Sequence, residues 1–178
     1  CFKDIIKSAS GVYGIDENLI KAFISHESVG IPNAVSCTGA AGLMQLMPDT
    51  ARIDLGLNVP NYGTEKLAKC KSYINIEPSK CNKIHTGNCD LKNDERFNPE
   101  KNILAGTRYF KQQLKNFNEN EKLALAAYYA GPGNVDTICG ERSFEECRND
   151  LSELRPKGSV PAYVDSILDE KDKFEALA

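Results

Sequence analysis

Helical periodicity is the feature that most limits the folds open to this chain. Apolar residues recur at spacings of three and four, the repeat of one helix face, in several segments. We predict helices at about 2–12, 16–28, 48–55 and 122–130, a long helix opening at 98–100, and a last helix from Pro161. No segment of any length between them alternates as a strand does. The sequence therefore predicts a mainly α fold.

The second predicted helix ends with an acidic residue on its buried face. Asp16 suits the N-cap, and Gly30 marks the end. The buried stripe has spacings of three and four and comprises Ile20, Phe23, Ile24 and Glu27. Burial and the negative end of the helix dipole both favour a protonated carboxyl, so we predict a raised pKa for Glu27. Such an acid suits general-acid catalysis, although a Glu at a helix end is more often solvated or ion-paired.

Length and charge limit the class of protein. The 178 residues fit one domain, 1–178, and the net charge is −3 from 22 basic and 25 acidic side chains. No basic patch interleaves with aromatic residues, so a nucleic-acid partner is not expected. The sequence has no apolar run of membrane-spanning length and no signal peptide. Residues 61–96 are polar and carry three cysteines, which predicts a Cys-rich loop insertion.

Cysteine usage indicates an oxidising compartment. The chain has seven cysteines and no Cys-x-x-Cys pair, which is unusual for a reduced cytosolic enzyme. Short separations favour two local bridges, and the remaining pair would tie the insertion to the loop after the second helix. The predicted disulfides are Cys139–Cys147, Cys81–Cys89 and Cys37–Cys70.

Two alternatives concern the remaining cysteine chemistry. The spacing Cys81-x3-His85-x3-Cys89, with Cys70 upstream, matches a zinc-binding set of three thiolates and an imidazole. We favour disulfides, and predict neither a metal nor another cofactor. Cys1 is the unpaired cysteine. Lipid modification there would place the chain on a membrane, and a cut in a longer chain explains its position equally well.

Four ordered motifs carry a resemblance to a known family. They are Glu27-Ser28, Gly-Leu-Met-Gln at 42–45, Ala-Tyr-Tyr-Ala-Gly-Pro-Gly at 127–133 and Val-Pro-Ala-Tyr-Val at 160–164. In this order they resemble the soluble lytic transglycosylase family of peptidoglycan-cleaving enzymes. The resemblance implies a lysozyme-like fold, peptidoglycan glycan strands as substrate and a periplasmic or secreted location in the cell envelope. It also allows a role beside a secretion, conjugation or phage apparatus.

The resemblance implies a mechanism with one catalytic carboxyl, Glu27. A search for a second carboxylate finds no candidate, because the acidic residues considered fall on a helix beyond the Gly-Leu-Met-Gln turn or on polar, solvated surfaces: Asp49, Asp54, Asp94, Glu95 and Asp136. The family's reaction leaves 1,6-anhydromuramoyl ends. Two other functions stay open, a non-catalytic glycan-binding scaffold module and a hydrolytic muramidase.

The resemblance also implies substrate contacts from three residues around the Gly-Leu-Met-Gln turn. Ser36 matches a substrate-contacting serine, but an ordinary turn residue bonding its own backbone is the alternative. Gln45 offers an amide to sugar groups. Met47 matches a cleft position, although methionine is more often a core residue. Gly39 and Gly42 would allow close approach to the glycan or the catalytic carboxyl, or simply form a turn.

Three tyrosines complete the implied site. Tyr128 matches a family tyrosine whose hydroxyl lies near the acid, with helix packing as the alternative. Tyr129 stands where the family usually has Asn, which changes the volume and polarity expected beside the acid. Tyr163 matches the tyrosine that closes the cleft. His26 lies about 100° round the helix from Glu27, so we do not expect it to be catalytic.

Overall fold

The chain folds mainly into α-helices, as predicted. The computed structural model describes residues 2–36, 38–61, 89–154 and 156–177, together with the backbone of 85–86. Within these ranges the helices are α1 (Lys3–Tyr13), α2 (Glu17–Ser28), α3 (Pro99–Asn116), α4 (Glu121–Ala130), α5 (Pro132–Cys139), α6 (Phe144–Leu151) and α7 (Ser159–Ala176). A π-helical turn covers Thr50–Asp54 and a 3₁₀ turn covers Glu95–Phe97. Strand β1 (Ala34–Val35) pairs antiparallel with β2 (His85–Thr86).

The first two helices begin and end close to where the sequence places them. Gly14 ends α1 in the left-handed conformation (φ 65°), and its N–H donates to the Ser10 carbonyl at 2.8 Å. Gly11 lies inside this helix and does not end it. The Asp16 carboxylate caps α2 by accepting from the Asn18 and Leu19 N–H groups. The cap fixes the start of the helix that carries Glu27.

Helices α3 and α4, both predicted from the sequence, pack together as a hairpin. The Asn98 side chain caps α3 by accepting from the Lys101 N–H at 3.0 Å. The Asn120 side chain caps α4 in the same way from Leu123 at 3.1 Å. Asn118, with φ 53°, lies in the reversal between the two helices. Both helices are therefore started by asparagine side chains visible in the sequence.

Helices α5 and α6 are not among the predicted elements. The Pro-Gly start of α5 resembles a loop, yet proline suits the first turn of a helix. Ser143 and Glu146 form a capping box at the start of α6. The Cys139–Cys147 disulfide joins the two helices, with an S–S distance of 2.06 Å, and confirms that pairing.

The remaining cysteine predictions fall largely outside the described residues. The pairs Cys37–Cys70 and Cys81–Cys89 each include residues that the structure does not describe, and most of the predicted insertion at 61–96 lies there too. Cys89 is disulfide-bonded. A bonded sulfur is not a thiolate ligand, which removes Cys89 from the alternative zinc set.

Two hydrophobic clusters make up the core. The larger cluster lies among the seven helices, with Phe23 of α2 fully buried at its centre. The smaller cluster lies under the segment that follows β1, and includes Leu46 and Phe97. Helix α7 packs along α2 and buries Val164 and Ile167. Across the described ranges, none of the helices has both the length and the apolarity needed to cross a membrane.

Candidate active site

Glu27 lies in the last turn of α2 and contacts the helix that packs beside it. The helix ends at Val29, which has φ 51°, and the next residue, Gly30, donates its N–H to the Ile24 carbonyl at 3.3 Å. The Tyr163 hydroxyl, on α7 and 136 residues further along the chain, donates to Glu27 Oε1 at 2.5 Å. The packing of α7 on α2 therefore holds a phenol directly on the carboxyl.

Burial of this carboxyl changes its chemistry. Desolvation raises the pKa of Glu27 from its usual 4.5 to about 7, and the hydrogen bond from Tyr163 opposes part of that rise. The direction agrees with the one predicted from the sequence, with burial as the largest cause. At neutral pH the side chain is thus present in both protonation states. A group of this kind can donate a proton in one step and accept one in the next.

Tyr128 lies near the acid and packs on the helix that carries it. It is partly buried against the larger core cluster, its ring packs on Phe23 with centroids 4.8 Å apart, and its hydroxyl donates to the Met44 carbonyl at 2.8 Å. Burial raises the pKa of Tyr128 well above 10, and the nearby charge of Glu27 adds to that rise. Tyr128 therefore joins the Gly-Leu-Met-Gln turn to the helix carrying the acid.

The turn itself is a compact loop closed by its own backbone. Ala41 and Leu46 exchange two N–H···O bonds of 3.0 Å each. Gln45 has φ 49°, and its side-chain Nε2 donates to the carbonyls of Gly42 at 2.9 Å and Ala34 at 3.2 Å. The amide of Gln45 thus holds the turn, and its predicted contact with sugar stays a prediction.

A cavity of about 210 Å³ opens beside this turn. Its walls come from the turn, the start of the π-helical turn, the middle of α3 and the end of α4: Gln45, Leu46, Met47, Thr50, Tyr109, Tyr128, Tyr129, Ala130 and Gly131. Four of the six predicted contact residues therefore meet here. Met47 is 43% exposed. A methionine this exposed is available to a ligand and does not fill the core.

The other two predicted contact residues, Ser36 and Tyr163, are not among the residues that line this cavity. The Ser36 hydroxyl accepts from the Ala40 N–H at 3.0 Å and lies 3.0 Å from Thr38 Oγ1, the local geometry of a turn residue. Tyr129 stacks on Tyr163, with ring centroids 4.6 Å apart. Tyr163 thereby connects the cavity wall to Glu27.

A buried polar network fastens the turn to α3, and sequence reasoning missed it. The expectation that Asp94 lies on a solvated surface is wrong: Asp94 and Arg96 are each 1% exposed and paired at 2.7 Å. Arg96 also donates to the carbonyls of Gly39 at 2.9 Å and Leu46 at 3.0 Å. Two charged residues so close in sequence resemble a surface loop, because the carbonyls that Arg96 binds are about fifty residues away.

Asn102 is the other part of this network and is completely buried. It accepts from the Met44 N–H at 2.7 Å and donates to the carbonyls of Ala41 at 3.2 Å and Arg96 at 2.8 Å. A Cβ on Gly42 would lie 2.2 Å from the Asn102 amide nitrogen. The close approach expected at Gly42 is therefore to Asn102 and Arg96.

None of the other carboxylates considered joins Glu27. Asp49 is exposed and pairs with Arg52, while Asp94 is held by Arg96. Within the described ranges, burial and Tyr163 account for the pKa shift of Glu27, with no contribution from a second carboxylate. The same ranges hold no cluster of three His, Cys, Asp or Glu side chains placed to bind a metal.

Comparison with known proteins decides the family. The transglycosylase SLT domain matches residues 4–75 and 74–150. The chain belongs to this SLT family. The membrane-bound lytic murein transglycosylase C of Edwardsiella ictaluri is 31% identical over 141 residues, which are 75% of this chain and 32% of that protein. The soluble lytic murein transglycosylase of Escherichia coli K12 is 26% identical over 168 residues, which are 94% of this chain and 22% of that protein.

Solved structures give the same fold. An inactive glutamate-to-glutamine mutant of the lytic transglycosylase Slt from Pseudomonas aeruginosa superposes with a TM-score of 0.62 at 26% identity, covering 95% of this chain and 23% of that one. The 70-kDa soluble lytic transglycosylase of Escherichia coli has a TM-score of 0.62 at 24% identity, with coverages of 96% and 23%. The predicted lysozyme-like fold is confirmed. This SLT-family chain spans a third or less of the length of these relatives.

Proposed function

We propose that this chain is a peptidoglycan lytic transglycosylase domain in which Glu27 is the single catalytic acid and base. The observation that carries the proposal is the Glu27 carboxyl with a pKa of about 7, which accepts a hydrogen bond from Tyr163 at 2.5 Å. Tyr163 in turn stacks on Tyr129 of the cavity wall. The relatives named lytic murein transglycosylases support the reaction class. The glutamate-to-glutamine mutant of the Pseudomonas protein is inactive, which supports a glutamate at the centre of the chemistry.

The reaction proceeds in two proton transfers. Protonated Glu27 donates its proton to the glycosidic oxygen between N-acetylmuramic acid and N-acetylglucosamine, and the C1–O bond breaks. The 2-acetamido oxygen of the muramic acid bonds to C1 and takes up the positive charge in place of a protein nucleophile. The Glu27 carboxylate then removes the proton from the C6 hydroxyl as O6 attacks C1 and releases the acetamido oxygen. The product is a 1,6-anhydromuramoyl end, Glu27 is protonated again, and water is not consumed.

The location proposed for this reaction is the cell envelope, in the periplasm or outside the cell. Peptidoglycan is found there, and the Cys139–Cys147 disulfide suits an oxidising compartment. A partner secretion, conjugation or phage apparatus remains an expectation from the resemblance alone, and lipid modification at Cys1 remains an expectation from the sequence.

Product analysis tests the proposal. Purified chain is incubated with peptidoglycan, and the released fragments are analysed by mass spectrometry. Anhydro ends are the expected products. Reducing ends identify a hydrolytic muramidase, and an absence of cleavage identifies a glycan-binding module; either result overturns the proposal.

A matched pair of variants tests the role of Glu27. Glu27→Gln keeps the shape of the side chain and removes its transferable proton, so cleavage should fall by at least about a hundredfold while the fold persists. Glu175→Gln makes the same change at an exposed position in α7 and should cleave as the wild type does. Comparable activity in both variants contradicts the assignment of the acid.

A further inference from the structure

The two faces of the Tyr129 ring have different surroundings. One face stacks on Tyr163, with centroids 4.6 Å apart and an angle of 23° between the rings. Tyr163 is 4% exposed and ends the stack at the Glu27 carboxyl. Tyr129 itself is 43% exposed. Tyr129 is thus the outer ring of a two-ring stack, and the inner ring, Tyr163, donates a hydrogen bond to the proposed acid.

The exposed part of Tyr129 belongs to the cavity wall. The same cavity contains Met47, also 43% exposed, and the polar side chains of Gln45 and Thr50. Folding does not require two large, exposed apolar groups at one place, because each would gain by burial. A flat aromatic face beside polar groups is the arrangement that a ligand with an apolar face and a polar edge would use.

A pyranose ring has this mixed character. Its axial C–H bonds form an apolar face, while hydroxyl and acetamido groups project from its edge. Aromatic rings contact such faces by dispersion and burial of apolar area, and the amides and hydroxyls nearby bind the edge. A peptide stem, by contrast, offers charged and flexible groups that gain little from a flat ring.

We propose that Tyr129 is a specificity-determining residue that stacks on the apolar face of an N-acetylhexosamine ring of the glycan strand. The proposal rests on the function proposed above and names the part of peptidoglycan that this wall recognises. Tyr129 recognises the sugar chain and not the peptide stem. Its inner contact with Tyr163 keeps the platform at a fixed distance from Glu27, so a bound sugar ring is placed in register with the bond to be cleaved.

The kinetic test removes or keeps the ring. Tyr129→Leu keeps an apolar side chain over Tyr163 and removes the flat face, so KM for peptide-free glycan strands should rise by about three- to tenfold, the scale of one aromatic contact. The loss should fall on KM and not on kcat. Tyr129→Phe restores the ring and should restore the wild-type KM.

Two kinetic results overturn the proposal. A fall in kcat with an unchanged KM means that Tyr129 acts only by supporting Tyr163 and Glu27. A rise in KM that is confined to peptide-bearing peptidoglycan, and absent with peptide-free strands, assigns the contact to the stem. Thermal unfolding of Tyr129→Leu is measured alongside, so that only folded protein enters the comparison.

A binding test separates this proposal from the function of the chain. The tetrasaccharide of N-acetylglucosamine is titrated into Glu27→Gln and into Glu27→Gln/Tyr129→Leu, and binding is followed by calorimetry. The double variant should bind about three- to tenfold more weakly. Equal affinities overturn the platform even if the wild type cleaves peptidoglycan, whereas a difference supports it even if the wild type proves inactive.

Discussion

Replacing Gly42 with alanine should break the contacts that hold the turn, one wall of the cavity, against Arg96 and Asn102. Gly42 has φ 82°, and a Cβ there would lie 2.0 Å from the Arg96 carbonyl oxygen and 2.2 Å from the Asn102 amide nitrogen. Real Cβ contacts do not approach this closely. Either the turn moves away from α3, or Asn102 leaves its position.

The magnitude follows from the bonds at risk. Alanine in the left-handed region costs about 1 kcal/mol or more. Asn102 makes three buried hydrogen bonds, to Met44, Ala41 and Arg96. Each buried partner left unsatisfied costs about 1–3 kcal/mol, so losing one or two bonds adds about 2–4 kcal/mol. We therefore expect Gly42→Ala to lower the free energy of unfolding by about 3–5 kcal/mol.

Urea unfolding followed by circular dichroism measures this change, and Gly11→Ala is the matched control. Gly11 lies inside α1, and its Cβ would meet no atom within 4 Å. Alanine in a helix interior is favoured over glycine by about 1 kcal/mol, so the control should be neutral or stabilised. If Gly42→Ala unfolds within about 1 kcal/mol of the Gly11→Ala control, the network does not hold the turn as argued.

Three further predictions concern the acid and the disulfide. Activity should fall as pH rises through about 7, where Glu27 loses its proton. In the wild type the hydrogen bond from Tyr163 lowers the pKa of Glu27, so Tyr163→Phe should raise that pKa and move the alkaline limb to higher pH. A move to lower pH contradicts the account. Because the folded-state pKa is raised, ionising Glu27 destabilises the fold as pH rises between 4.5 and about 7. The wild type should therefore lose stability with rising pH while Glu27→Gln does not, so the unfolding free energy of the variant minus that of the wild type should grow by about 1–3 kcal/mol from pH 4 to pH 8. A difference that does not change with pH would count against the pKa shift. Replacing Cys139 and Cys147 by alanine should lower the free energy of unfolding by about 2–3 kcal/mol and leave the activity of the folded protein intact. Urea unfolding and turnover per folded molecule are measured together, and an unchanged stability or a loss of turnover contradicts the prediction.

Local signals in the sequence were sufficient for the main helices. Asp16 and Asn98 each cap the helix that follows, and the apolar spacing of α2 places Glu27 at its last turn. Capping and apolar spacing depend only on residues four or five positions apart, so both can be predicted from the sequence. The direction of the pKa shift of Glu27 follows from the same spacing, since the buried face of a helix desolvates whatever side chain it carries.

Contacts between distant segments explain what the sequence left open. The bond from Tyr163 to Glu27 crosses 136 residues, and only the resemblance indicated that the two meet near the cleft. Helices α5 and α6 have eight residues each, too few for a clear apolar repeat, and a disulfide and capping box stabilise them. The polar pair of Asp94 and Arg96 gives no local sign that it is buried.

The buried pair of Asp94 and Arg96 contributes more to fixing the conformation of the turn than to the stability of the fold. Moving two charges out of water costs several kcal/mol, and the attraction between them returns about the same amount. An apolar pair of similar size would therefore stabilise the core equally well. An apolar pair would leave the Gly39 and Leu46 carbonyls without the donors that Arg96 supplies. The planar guanidinium has five N–H donors in a fixed fork, so Asp94 can orient it on one side while it binds the two carbonyls on the other. The ion pair therefore specifies one conformation of the turn beside Tyr128, and this fixed turn is what allows the cavity to keep a constant position relative to Glu27.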